Sequence, residues 1–136
     1  MARSEIETAA APPAQGPYSR AIRHGTTLYC AGQIGLVPGV PAATVPGSVE
    51  DQTTRALENL EAVCVAAGGS LRRAVKVHVF LADVADFAAV NGCYAAFFDR
   101  WAADPAPLPA RTTIAVGGLP LGAAVEIDAI VALDEP

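Results

Sequence analysis

Arg111 and Glu126 are the two residues of this chain with which chemistry could begin. Arg111 opens a β-branched run (Thr112, Thr113, Ile114, Val116), and Glu126 follows fifteen residues later in Val125-Glu126-Ile127-Asp128. A guanidinium suits a planar carboxylate because its fork donates two parallel hydrogen bonds and keeps its charge. A partly desolvated glutamate beside such a site would have its pKa raised toward neutrality, and could then pass protons to or from a water. Asp128, two residues on, would push it further in the same direction. An Arg-Glu pair that merely links two strands is the alternative reading.

Strands must position both groups. Leu108-Pro109 stiffens the approach to Arg111, and 111–116 and 124–133 read as the last two strands. In the second, Val125, Ile127, Ala129, Val131 and Leu133 alternate and would face the helices, which turns Glu126 and Asp128 the other way. In the first, Thr112, Ile114 and Val116 make the more apolar face, leaving Arg111, Thr113 and Ala115 opposite. Arg111 and Glu126 are therefore expected on one sheet face that the helices leave bare. A simple hairpin turning at Gly118-Leu119 would also pair them directly.

The remaining elements follow from period and punctuation. Residues 1–17 form an extended lead-in, proline-rich from Ala9 onward, and the fold proper is expected from Tyr18. Strands are predicted over 18–23 and 26–34 with a turn at His24-Gly25, where His24 reads as solvated, and an irregular loop follows over 35–47. Ser48 and Asp51 approximate a capping box for a helix closed by Gly68-Gly69. Val49, Thr53, Ala56, Leu57, Leu60, Val63, Cys64 and Ala67 form its apolar stripe. In the strand 74–81, Val75, Val77, Val79 and Leu81 share one face, with Ala74, Lys76, His78 and Phe80 on the other. His78 reads as a satisfied or subunit-facing histidine before it reads as a general base. A second helix, capped by Asp83 or Asp86 and running to about Ala102, carries Phe87, Val90, Tyr94, Phe97, Phe98 and Trp101 as core, with Asn91 one position off the stripe.

Two helices on one face of a small sheet leave the other face partly apolar (Ala74, Phe80, Ala115, Ile130), which suggests symmetric association of copies. Apolar residues make up 52% of the 136 and charged ones only 17%, in keeping with surface covered by copies. A single domain over 1–136 is expected. The net charge of −5 and the scattered Lys and Arg argue against nucleic acid. Cys30, Cys64 and Cys93 offer neither a disulfide framework nor a metal or redox spacing and read as small buried hydrophobes. No cofactor or metal is expected, since no phosphate-binding loop, dinucleotide fingerprint or zinc-helix motif is present. The acidic N-terminus and the absence of a long apolar window make a cytoplasmic protein away from membranes the expectation.

Blocks along the chain resemble the RidA (YjgF) family. They are Ala11-Pro12, Gly16-Pro17-Tyr18-Ser19, Ala31-Gly32-Gln33-Ile34, Gln52 with Asn59-Leu60, Ala67-Gly68-Gly69, Val75-Lys76-Val77, 86–91 (Asp-Phe-Ala-Ala-Val-Asn), Pro109-Ala110-Arg111, and Leu119-Pro120 with Val125-Glu126-Ile127. The resemblance implies a chorismate-mutase-like α+β fold, a mixed sheet with two helices on one face, assembled as a homotrimer with clefts between subunits. It places the 74–81 strand between the last two. It implies cofactor-free hydrolysis of reactive enamines and imines of the 2-aminoacrylate type to 2-oxo acids and ammonia. By the same resemblance Arg111 grips the substrate carboxylate and Glu126 stands near the attacking water. Tyr18, Asn91, Gly32 and Thr113 line the cleft. Ala31, Gly35, Arg20 and Thr113 depart from residues common in the family, and Ala31 and Thr113 bear on substrate range. The other readings are a non-enzymatic module that binds small carboxylates or partner proteins and, against the charge, a ribonuclease.

Overall fold

The computed structural model describes residues 1–134; residues 135 and 136 of the expected 1–136 domain lie outside the described residues. Six strands and two main helices follow in the order β1 (Arg3–Glu5), β2 (Ala21–His24), β3 (Thr27–Gln33), α1 (Val49–Ala66), β4 (Ala74–Leu81), α2 (Phe87–Phe98), β5 (Ala110–Ala115) and β6 (Val125–Ala132). They form one mixed sheet of order β1-β2-β3-β6-β4-β5, parallel only between β4 and β5. Among the described residues no helix is long and apolar enough to cross a membrane.

Alternation in β6 is as expected: Val125, Ile127, Ala129 and Val131 are buried under the helices, and Glu126, Asp128 and Ile130 face the bare side. The apolar stripe of α1 packs on this side, with Ala56, Leu57, Leu60 and Cys64 fully buried. Ser48 caps α1 by accepting from the Asp51 amide at 3.1 Å, and the helix closes where the Gly69 amide donates to the Cys64 carbonyl. Asp83 caps the turn ahead of α2 in the same way, accepting from the Ala85 amide.

Several expectations are corrected. The last two strands are not a hairpin, because β4 lies between them and pairs antiparallel with β6. The 1–17 lead-in is not wholly outside the sheet: Arg3–Glu5 adds an edge strand to β2, and Ser4 is held opposite Arg23. The hairpin turn is Gly25-Thr26, with His24 as the last, exposed residue of β2. Gly25 takes φ +64° there, the left-handed geometry that a tight two-residue turn needs. A register shift in β4 between Ala74 and Lys76 buries Ala74 under the helices and exposes Val75, reversing both. Cys30 and Cys64 are buried as expected, whereas Cys93 is half-buried.

Two polar side chains of α1 fix the long loop, which periodicity does not reveal. Asn59 is fully buried and its amide donates to the carbonyls of Ile34 (3.2 Å) and Leu36 (2.8 Å). Gln52 donates to the Gly47 carbonyl and accepts from the Ala124 amide, tying the loop to the start of β6. Asn59→Ala strands two buried carbonyls, so we expect a loss of roughly 2–4 kcal/mol, read as a lower urea midpoint with unchanged slope.

Candidate active site

Pairing register corrects the shared face of Arg111 and Glu126. In β5, Arg111 lies beside Val77 and Thr113 beside Val79, so both, with Ala115 beside Leu81, share the side covered by the helices. In β6, Glu126 pairs with Phe80 and Asp128 with His78, on the bare side. Thr112 and Ile114 are the β5 residues on that bare side, and both are exposed. Arg111 and Glu126 are thus separated by β4 and by the thickness of the sheet.

The first cluster sits where β5 meets α2. Asn91 accepts a hydrogen bond from an Arg111 Nη2 at 2.5 Å. The Arg111 guanidinium lies 4.7 Å from the centre of the Tyr94 ring and 6.0 Å from that of Phe87, distances at which the ring faces attract the cation. Phe87, Asn91 and Tyr94 lie four and three residues apart, so one stripe of α2 cradles the guanidinium, and that spacing is the signal that places Asn91 in the site. Burial pushes the Tyr94 hydroxyl up to about 12, with the neighbouring Arg111 charge opposing it. The Tyr94 hydroxyl and the Thr113 hydroxyl are buried without a hydrogen-bond partner among the described residues. No carboxylate pairs with Arg111 among the described residues. A strand-linking Arg-Glu pair is therefore not what the arginine forms.

The second cluster is a cleft of about 200 Å³ between the lead-in and the β3–β6 side of the sheet. Tyr18, Gly32, Arg20, Gln33, Pro120 and Glu126 are among its lining residues. It is smaller than the ~300–1,000 Å³ of a complete small-molecule site. The Tyr18 hydroxyl accepts from the Gln15 amide at 3.1 Å, which leaves its own proton to donate. The Arg20 guanidinium ties the lead-in down through the carbonyls of Thr8, Ala11 and Pro12. A Cβ at Gly32 would fall 2.8 Å from the Glu126 carboxyl carbon, so only glycine lets that carboxyl lie against β3. Burial, and secondarily the Asp128 charge, raise Glu126 above the usual carboxylate range.

The six residues expected in the site thus fall into two groups within one chain. Arg111, Asn91 and Thr113 share one side of the sheet, and Tyr18, Gly32 and Glu126 line the cleft on the other. Replacing Asn91 with Ala releases the guanidinium from its charge-assisted bond. We expect KM for a carboxylate substrate to rise about tenfold, with kcat changing less, as measured by steady-state kinetics.

The architecture defines a class: a six-stranded mixed sheet backed by helices on one side only, with a cation held at the parallel edge. The family model described as Endoribonuclease L-PSP matches residues 8–133. The mouse 2-iminobutanoate/2-iminopropanoate deaminase is 42% identical over 128 residues, covering 94% of this chain and 90% of that protein. The Arabidopsis thaliana chloroplastic Reactive Intermediate Deaminase A is also 42% identical over 128 residues, although those cover only 65% of its length. Among solved structures, E. coli TdcF with bound serine superposes with a TM-score of 0.89 at 37% identity, covering 96% of this chain and 99% of that one. The chain belongs to the YjgF/RidA family.

Proposed function

We propose that this protein hydrolyses reactive 2-imino acids and their enamine tautomers to 2-oxo acids and ammonia, in clefts formed between copies of the chain. The observation that carries the reading is Arg111: a half-buried cation, held by Asn91 and Tyr94, with no carboxylate of its own among the described residues. Relatives matched over most of this chain bear 2-iminobutanoate/2-iminopropanoate deaminase names. We read the assembly as a homotrimer. The bare sheet face supports association, because Tyr29 and Ile114 are about half exposed on it and Phe80 and Ile130 lie beside them. Association would bring Arg111 of one copy to the Glu126 cleft of the next and complete the site.

In the assembled cleft the Arg111 fork receives the substrate carboxylate and sets the imine carbon near Glu126. Tyr18, Asn91, Thr113 and the Gly32 backbone line the remainder. Water adds to the carbon of the protonated imine (C=NH2+), its proton passing to the ionised Glu126 as the C–O bond forms and the C=N pair moves onto nitrogen. The neutral amino alcohol takes that proton back on nitrogen and the C–N bond breaks to release ammonia, while the hydroxyl proton passes to Glu126 as the C=O bond forms and leaves from there to solvent. An imine is already activated toward water, so placement by Arg111 supplies most of the rate gain and proton transfer the smaller part. The step requires no cofactor.

The test generates imines from several amino acids with an amino-acid oxidase or a pyridoxal enzyme and follows 2-oxo acid release. Faster release with the protein present supports the reading; binding of 2-oxo acids with no rate effect on any imine leaves a carboxylate-binding module instead. The family description carries a ribonuclease activity, but a net charge of −5 with scattered cations gives a phosphate backbone no track to follow. Cytoplasmic residence belongs to the same proposal and is checked by fractionation.

A further inference from the structure

We propose that His78 and Asp128 act as a positioning pair that sets the protonation state in which Glu126 works, and so the pH range over which the cleft is active. The inference rests on the deaminase reading and deepens it. The β4–β6 register puts His78 directly opposite Asp128 and Phe80 directly opposite Glu126, so the four side chains form a square on the bare face. His78 Nδ1 lies 2.7 Å from Asp128 Oδ1, and the two side chains are 38% and 30% exposed, so solvent screens the pair only in part. The imidazole stacks on Phe80 with ring centres 6.2 Å apart and planes at 20°, which holds its orientation.

Asp128 is two residues from Glu126 on the same face of one strand, a separation of roughly 7 Å. Its negative charge opposes ionisation of Glu126 and is a cause, after burial, of the raised Glu126 pKa. In its imidazolium form His78 offsets that charge; in its neutral form it leaves the charge in place. The remaining groups on this face do not hydrogen-bond to Asp128 among the described residues. Lys76 of β4 is engaged with the Thr112 hydroxyl of β5 at 2.8 Å. Tyr29 of β3 stands opposite Ile130. Tyr18 and Arg20 line the same cleft as Glu126. In the assembly, Arg111 of a neighbouring copy would add a positive charge common to all the variants below.

The experiment titrates the Glu126 carboxyl carbon by NMR in the full-length protein and in Asp128→Asn, His78→Gln and the double variant, and records kcat and KM against pH for each. Removing the Asp128 charge should lower the Glu126 midpoint and carry the acid limb of kcat down with it. Removing the imidazole should raise both, because Asp128 then acts without its partner. The double variant should fall between the two single variants, and KM should change less than about twofold throughout. A hydrogen bond of purely structural value would instead leave the midpoints in place or move them in one direction, and either result overturns the proposal. If Asp128→Asn does not fold, His78→Gln and His78→Ala must both raise the midpoint, and an unmoved midpoint in both is equally fatal. A protein with no deaminase activity but with opposed NMR shifts keeps the coupling and removes the deaminase reading alone.

Discussion

Arg111→Ala should lose roughly 10²- to 10⁴-fold in kcat/KM for imine hydrolysis, because a bidentate grip on a carboxylate contributes two charge-assisted bonds of about 1.5–3 kcal/mol each. Part of the loss should fall on KM, since the substrate carboxylate is held in ground and transition states alike. The larger part should fall on kcat, because an unanchored imine no longer rests where water reaches it. Arg111→Lys keeps the charge without the planar fork and without its stacking on Tyr94, and should recover only part of the rate. Thermal unfolding should change little in either variant, because Arg111 lies on an edge strand and pairs with no carboxylate among the described residues. A rate that is unchanged in folded Arg111→Ala would remove the mechanism.

The misplacement of Arg111 from sequence has a physical cause. Parity reading takes the more apolar side of a strand to be the side under the helices. That works in β6, where the odd residues are buried and the even residues include two carboxylates. It fails in β5, where Ile114 is apolar yet 48% exposed, and where Arg111 turns under α2 to meet Asn91 and the Tyr94 ring. A sheet whose second face also carries apolar side chains offers no hydrophobic contrast by which to assign an edge strand. Insertion of β4, implied by the family resemblance and not by local pattern, is present. Asn59 and Gln52 enter through the family resemblance alone, because a buried amide that serves loop carbonyls has no period of its own. The His78–Asp128 contact joins residues fifty positions apart, and only the β4–β6 register brings them together. By contrast, α1 with its cap at Ser48 was legible because cap, stripe and stop agree with one another.

Opposite-face placement has a consequence for mixed assemblies that a one-chain site could not show. If the catalytic unit takes Arg111 from one copy and Glu126 from the next, then Arg111→Ala and Glu126→Gln are each strongly impaired alone, since every cleft in either assembly lacks one of the two groups. Refolded together in equal amounts they form cyclic assemblies at random. A given cleft is intact when the copy that supplies the arginine is Glu126→Gln and the copy that supplies the carboxylate is Arg111→Ala. Each condition holds half the time, so about one quarter of the clefts, and about one quarter of the wild-type rate, should return whatever the number of copies in the ring. Mixing the two folded proteins without dissociating them should return nothing until subunits exchange, and the rise in rate should then track exchange measured by native mass spectrometry. No recovery after verified mixing would place a complete site within a single chain. That outcome would require Arg111 and Glu126 to meet around the sheet edge, past β4, a path the β6-β4-β5 order leaves no room for without unpairing β5.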